Sequence, residues 1–140
     1  MGQPIFLETV EAIGSLCQEQ KARICRNLEL SPAEFHGLKN LAPDEKITCQ
    51  EMARRMQLSL SRCSRVIERL TIRGYLQRTD CSSDRRCKSI TLTAKGEEAH
   101  QRIQSLRREC ENRLLDGYAQ SDLAALKQGL DKLMDVLASD

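Results

Sequence analysis

The stretch that decides the fold is Thr48–Thr93, TCQEMARRMQLSLSRCSRVIERLTIRGYLQRTDCSSDRRCKSITLT. It contains a short helix, a brief turn, a longer helix with an arginine-bearing face, and two alternating strands around a polar loop. Two capped helices so close together form a helix-turn-helix, and the hairpin that follows adds a wing. The sequence therefore predicts a winged helix-turn-helix, mainly α with a small β wing.

Capping residues set the helix boundaries in this stretch. Thr48 and Glu51 have the spacing of a capping box, so the first helix begins there and buries its small apolar stripe. Ser59 caps the second helix, which we expect to run to Arg73. Gly74 then supplies the left-handed residue that ends it. Alternating residues predict strands over 75–79 and 88–92, joined by a polar loop over 80–86.

Amphipathic helices are expected on both sides of this module. The first runs from Pro4 to about Leu28, and the second begins at a capping box formed by Ser31 and Glu34. Two more follow Thr93, the last with leucines along one stripe. Their apolar surface exceeds what a small winged helix needs for its own core, so we expect a helical dimer interface. A single domain of residues 1–140 results, with a DNA-binding lobe over 30–93 and a dimerisation region over 1–29 and 94–140.

Charge separates this module from the rest of the chain. Eleven Lys and Arg and four Asp and Glu lie between Lys46 and Lys88, net +7, whereas the remaining eleven basic and sixteen acidic residues give net −5. A basic module on an acidic body is a recognised hint of nucleic-acid contact. No apolar run approaches the about 18 residues of a transmembrane helix. The N-terminus has no signal-peptide pattern, so we expect a cytoplasmic protein.

The chain contains no motif that indicates an enzyme: neither a nucleophile elbow, nor a phosphate-binding loop, nor a zinc-protease motif.

On the longer helix, the face opposite the apolar stripe carries the candidates for reading DNA. Those nearest its N-terminus are expected to meet base edges, where arginine bonds guanine in bidentate fashion; they are Ser61, Ser64 and Arg65. Others are expected to meet phosphates or neighbouring side chains; they are Ser59, Arg62 and Arg69.

The polar loop presents two neighbouring arginines, Arg85 and Arg86. An arginine here is suited to the minor groove, where narrowing strengthens the negative potential. Asp84 is two residues before Arg86 and is expected to hold its guanidinium in a bidentate pair.

Residues 47–96 resemble the MarR family of bacterial transcription regulators. The resemblance is carried by ITCQEMARRMQLSLSRCSRVIERLTIRGYL and SSDRRCKSITLTAKG, including a wing D-x-R, Asp84–Arg86, and an L-T-x-x-G motif, Leu92–Gly96. It implies an obligate homodimer on a pseudo-palindromic operator of double-stranded DNA. It also implies a recognition helix in the major groove and Arg86 in the minor groove. Most such proteins repress genes and release DNA when a small molecule binds or a cysteine is oxidised.

The chain has seven cysteines without a C-x-x-C pair, so reduced thiols are expected. Cys17 lies roughly where peroxide-sensing relatives carry theirs, although its place on the apolar stripe favours a packed core cysteine. Cys81 and Cys87 flank the wing tip, where a disulfide would deform the loop. Cys63 lies on the core face and is expected to be inert. Cys17, Cys81 and Cys87 are therefore the candidate redox residues.

Zinc is a further candidate effector. The resemblance suggests ligands at Glu19, Cys25, His36 and His100, a donor set that zinc accepts. Two alternatives to a repressor released by a small molecule or by thiol oxidation stay open. One is a zinc-sensing member of the same family, and the other is a winged helix that binds a protein partner rather than DNA.

Overall fold

The computed structural model describes the backbone of residues 5–81 and 84–139, and the side chains of these residues apart from 80–87. Its architecture is mainly α with one small antiparallel sheet of strand order β1-β3-β2, which confirms the predicted fold class. The helices are α1 Ile5–Leu28, α2 Pro32–Lys39, α3 Cys49–Met56, α4 Leu60–Ile72, α5 Ala94–Asp116 and α6 Gln120–Ala138. The strands are β1 Ile47–Thr48, β2 Leu76–Cys81 and β3 Asp84–Leu92.

The chain forms two compact units, Met1–Gln104 and Ser105–Asp140, with the boundary inside α5. None of the helices in the described part of the chain combines the length and the apolar character needed to cross a membrane.

Predicted caps start the helices of the first unit. Ser31 accepts from the Glu34 amide at 3.1 Å, and the Glu34 carboxylate accepts from the Ser31 amide at 3.0 Å, so this capping box is complete. Thr48 accepts from the Glu51 amide at 3.1 Å, but the Glu51 carboxylate binds arginines instead of returning the bond. The capping box predicted at Thr48 is therefore only half formed, because guanidinium groups compete for its acid.

Three helices of the first unit end in the same way. A residue with positive φ follows each, namely Glu29 at 54°, Gln57 at 55° and Gly74 at 82°. The next amide then reaches back five residues to a carbonyl, as in a Schellman motif. These bonds are Leu30 N to Cys25 O at 2.9 Å, Leu58 N to Ala53 O at 3.0 Å, and Tyr75 N to Leu70 O at 2.8 Å.

The wing differs from its prediction in extent. The predicted loop over 80–86 is wrong, because β2 continues to Cys81 and β3 already begins at Asp84, and these two residues pair. Ladder hydrogen bonds involve the backbone alone, so polar side chains at the tip do not prevent pairing. The short β1 was not predicted either. It pairs Ile47 with Ile90 and joins the start of the helix-turn-helix to the wing.

The core of the first unit is built from the predicted apolar stripes. Its members on α2, α3, α4 and the sheet include Phe35, Leu38, Met52, Ala53, Met56, Cys63, Val66, Ile67, Leu70, Leu76, Ile90 and Leu92. Of the stripe predicted along α5, only Ile103 is buried, and α6 buries none of its residues. Both C-terminal helices therefore retain apolar side chains that the protomer leaves accessible.

The start of α5 packs closely on the backbone that leads into the wing. Thr93 caps the helix by accepting from the Gly96 amide at 3.1 Å, while its hydroxyl donates to the Gly74 carbonyl. A Cβ on Gly96 would lie 2.0 Å from the Tyr75 carbonyl oxygen, a distance no side chain can occupy. The start of α5 thus requires Thr93 as a helix cap and, three residues later, a glycine that leaves room for the Tyr75 carbonyl.

Candidate nucleic-acid interface

The outer face of α4 is held in place by its buried face. Cys63, Ile67 and Leu70 are fully buried, and α2 approaches α4 closely at Gly37, where a Cβ would lie 3.0 Å from a Leu70 methyl. Because the core side of α4 is fixed, the opposite side points to solvent in a defined orientation.

Three arginines of α4 form what we call the arginine face: Arg62, Arg65 and Arg69. They follow one another at i, i+3 and i+7, and all three are exposed. No salt bridge joins any of them to a side chain that the structure describes. Their guanidinium groups therefore keep their donors available for an anionic partner, and Arg65 is the middle one of the three.

The serines around the arginine face have different environments. Ser61 is exposed and Ser64 is half-buried. The Ser59 hydroxyl accepts from the Arg62 amide at 3.3 Å and lies 3.3 Å from the Ser61 hydroxyl. Ser59 thus acts as the predicted helix cap, and its exposed position leaves the start of α4 open to solvent.

Other arginines of the lobe are held by carboxylates. Arg55 forms a bidentate pair with Glu45, donates from Nε to Glu51 at 3.1 Å, and donates from Nη1 to the Asn40 carbonyl at 2.9 Å. Arg54 also binds Glu51, at 2.6 and 2.9 Å. Hydrogen bonds from Arg54 and then Arg55 lower the pKa of Glu51 to about 2. These contacts join α3 to the preceding turn.

A second ion pair crosses the lobe between α2 and the end of α4. Arg73 Nη1 lies 2.6 Å from Glu34 Oε2, and Arg73 also donates to the Glu29 carbonyl at 2.9 Å. Burial alone would raise the pKa of the Glu34 carboxyl, but hydrogen bonds from Arg73 and Ser31 outweigh it and lower the pKa. The guanidinium of Arg73 and the ammonium of Lys95 both lie over the Tyr75 ring, at 5.2 and 4.4 Å.

Five residues predicted to contact DNA or to be oxidised lie at the wing tip, outside the described side chains: Asp84, Arg85, Arg86, Cys81 and Cys87. The backbone of Cys81 pairs with that of Asp84, and the register of the ladder shifts between Asp80 and Cys81. On the described part of the wing, Arg78 is an exposed arginine of β2 that the sequence prediction missed. Alternation in a strand indicates only which positions face solvent, so it does not distinguish a binding arginine from a solvated one.

The described cysteines differ in accessibility. Cys17 is exposed in the protomer, so its prediction as a packed core cysteine is wrong for the single chain. On the α1 stripe, Ile13 is exposed as well, and only the C-terminal part of the helix, at Ile24 and Cys25, is buried. Cys63 is buried as predicted, and Cys25 is also buried; burial raises the pKa of both thiols.

The residues suggested for zinc do not form a site within one protomer. Among the described residues, no three His, Cys, Asp or Glu side chains come together as a metal site, which includes Glu19, Cys25, His36 and His100. Both histidines have other contacts. His36 Nδ1 lies 3.4 Å from the Asn40 amide nitrogen, and His100 Nδ1 lies 2.8 Å from the Leu38 carbonyl.

Comparison with known proteins agrees with this geometry. A family model described as the MarR family matches residues 30–88. The uncharacterized HTH-type transcriptional regulator YsmB of Bacillus subtilis is 23% identical over 126 residues, covering 90% of this chain and 86% of YsmB. The structure of Streptococcus pneumoniae FabT in complex with DNA matches with a TM-score of 0.83 at 20% identity, covering 94% of this chain and 96% of FabT.

RV1404 of Mycobacterium tuberculosis matches with a TM-score of 0.81 at 16% identity, covering 100% of this chain and 97% of RV1404. The two structural matches extend the agreement beyond the matched lobe to the flanking helices. Residues 30–88 therefore match the MarR family model, and the described chain shares its fold with these two solved structures.

Proposed function

We propose that this protein represses transcription as a homodimer that reads a pseudo-palindromic operator in duplex DNA. The observation that carries the proposal is the arginine face of α4, three exposed guanidinium groups without a carboxylate partner among the described side chains. Such a face fits the phosphate-lined major groove, which is wide enough for a helix. The complex of the similar FabT protein with DNA supports the same use here.

In this proposal α4 is the recognition helix. Ser61, Ser64 and Arg65 read base edges, because residues near the N-terminus of such a helix contact the bases. Phosphate contacts fix the register of the protein on the duplex and come from Ser59, Arg62 and Arg69. At the wing, Asp84 orients Arg86 toward the minor groove beside Arg85.

The proposed homodimer is supported by apolar surface that one protomer leaves uncovered. On α1, Phe6 is 87% exposed and Leu16 is 60% exposed. Along α6, leucines recur alternately every three and four residues at Leu123, Leu126, Leu130, Leu133 and Leu137, and none is buried. That spacing is the apolar repeat of paired helices. A second copy of the chain supplies the missing cover and brings a second recognition helix to the other half-site.

Release from the operator completes the proposal. A small molecule or the oxidation of a thiol lowers the affinity for DNA, and the protein has no catalytic activity of its own. It acts in the cytoplasm, where the operator lies.

Salt dependence tests the DNA-binding function against the protein-interaction alternative. An operator selected from a random duplex pool is labelled, and its dissociation constant is measured between 50 and 200 mM salt. Each neutralised phosphate contributes a slope of about −0.9 to the logarithm of the association constant plotted against the logarithm of the salt concentration. A tight, steeply salt-dependent complex is expected. The absence of duplex binding at the lowest salt would favour a winged helix that binds a protein partner.

Arg65→Ala tests the assignment of the recognition helix. The loss of a bidentate base contact is expected to cost about 1–3 kcal/mol on the selected operator and to relax one base position. Arg108→Ala, an exposed arginine of α5, is the matched control and should bind as wild type does. If the two variants bind equally well, α4 is not the reading helix.

A further inference from the structure

Two cysteines meet where the two helices of the helix-turn-helix pack together. Cys49 is the first residue of α3 and begins the stripe whose other members, Met52, Ala53 and Met56, are buried. Cys63 is the first member of the buried stripe of α4. Since α3 and α4 pack against each other through these stripes, each helix presents a cysteine toward the other.

The two residues are in direct contact. Cys63 Sγ lies 3.9 Å from the Cys49 carbonyl oxygen, within the range of a weak S–H···O hydrogen bond. The pKa of the Cys63 thiol is raised, first by burial and second by its electrostatic interaction with Cys49. The contact places the Cys63 sulfur against the backbone of Cys49, at the start of α3.

We propose that Cys49 and Cys63 form an oxidisable pair, which a hydroperoxide converts into an intramolecular disulfide within the helix-turn-helix. In the first step, the Cys49 thiolate attacks the peroxide, the O–O bond breaks, and an alcohol or water leaves with a proton. The Cys49 sulfenic acid then reacts with the Cys63 sulfur, which forms the S–S bond and releases water. The two thiols lose two electrons, and the peroxide accepts them.

The two cysteines have different roles because their surroundings differ. Cys49 is half-buried, and as the first residue of α3 it lies among amide groups that have no partner inside the helix. Its partial exposure gives a peroxide access to the Cys49 sulfur. Cys63 is fully buried and shielded from peroxide. It therefore acts second, on the sulfenic acid of its neighbour.

Oxidation would also move the reading helix, a consequence that rests on the proposed function. A disulfide brings the two Cβ atoms to about 3.8 Å and fixes its dihedral angle. We expect this constraint to displace Cys63 from its packed position, which lies directly after Arg62 and two residues before Arg65. The first turns of α4 shift with it, so we expect oxidation to weaken operator binding at least about tenfold, or 1.4 kcal/mol.

Peptide mapping tests the pair without any reference to DNA. The full-length reduced protein is treated with hydrogen peroxide, its remaining thiols are blocked with N-ethylmaleimide, and it is digested with trypsin. The peptides ITCQEMAR (47–54) and CSR (63–65) should appear joined, two hydrogen atoms lighter than their sum. Cys49→Ser should abolish the joined peptide. Cys63→Ala should leave a Cys49 sulfenic acid that dimedone traps, and a thermal melt checks its fold.

Cys17→Ser is the matched control, because Cys17 is an exposed thiol outside the pair; this variant should form the joined peptide as wild type does. Failure to detect the joined peptide at peroxide doses that oxidise Cys17 would overturn the thiol pair.

Oxidised wild type should lose operator affinity and regain it with dithiothreitol, whereas a joined peptide with unchanged affinity would overturn the regulatory consequence. If the reduced protein binds no duplex, the proposed function fails, and the peptide map still decides the pair.

Discussion

Arg73 reaches Glu34 across 39 positions of the chain, while the arginine face of α4 meets no carboxylate among the described side chains. The paired and the unpaired arginines belong to the same basic lobe, but they have different roles. A paired arginine holds elements together and adds little net charge to the surface. An unpaired one keeps its charge for a ligand. Some arginines that contribute to the net charge of residues 46–88 are therefore not available to bind DNA, because carboxylates of Glu34 and Glu45 already hold Arg73 and Arg55.

The buried carboxylate of Glu34 makes the stability of the lobe depend on pH. Its pKa lies below the ordinary value of 4.5 in the folded protein. The stabilisation is therefore complete above about pH 4.5 and is lost as pH falls through the lowered pKa. Glu34→Gln removes this contribution. We expect its free energy of unfolding to be lower than that of wild type at pH 7, with a difference that narrows between pH 5 and 3.

Urea denaturation at a series of pH values measures this difference. Glu68→Gln, on the exposed side of α4, is the control and should differ from wild type by a small amount at every pH. A Glu34→Gln variant whose deficit is the same at pH 7 and pH 3 would show that the carboxylate charge contributes nothing.

At the scale of elements, the sequence predicted the features that depend on residues close together in the chain. Ser31, Thr48 and Ser59 each cap the helix expected of them, because a cap involves residues only three positions apart. The two-residue β1 was missed because its partner lies on β3, more than 40 positions away. The arginine face was predicted from helical spacing, whereas the ion pairs of the other arginines depend on tertiary contacts that spacing does not contain.

The repeated helix ends give a prediction at the same scale. Gln57 and Gly74 both adopt left-handed backbone conformations, at φ 55° and 82°, but only one of them is a glycine. This conformation costs an L-residue about 1–2 kcal/mol, which the greater freedom of unfolded glycine partly offsets. Gln57→Gly is therefore expected to raise the free energy of unfolding by about 0.5–1 kcal/mol. Gly74→Ala, the matched reverse change, should lower it by about 1 kcal/mol.

Thermal and urea unfolding of the two variants beside wild type would measure both effects. An unchanged or reduced stability of Gln57→Gly would mean that the Gln57 side chain makes a compensating contribution. The turn between α3 and α4 would then be determined by more than its backbone conformation.

At the scale of the whole molecule, charge and apolar surface are distributed unequally along the chain. Residues 46–88 carry a net charge of +7, and the remainder carries −5. The apolar surface is also distributed unequally: α2, α3 and α4 bury their stripes, whereas α6 buries none of its residues and α1 leaves side chains such as Phe6 exposed. The proposed function uses both features: a cationic lobe to bind DNA and apolar helices to pair with a second copy of the chain.

The last prediction concerns the leucine stripe of α6, Leu123 to Leu137. Burying one leucine contributes about 1.5–3 kcal/mol, and a two-fold interface uses each leucine twice. Leu126→Glu combined with Leu130→Glu should therefore weaken the dimer by more than about 3 kcal/mol, roughly a hundredfold, and yield monomers in sedimentation equilibrium. Gln128→Glu, an exposed polar position of the same helix, should remain dimeric. A wild-type protein that sediments as a monomer at micromolar concentration would contradict the two-fold arrangement.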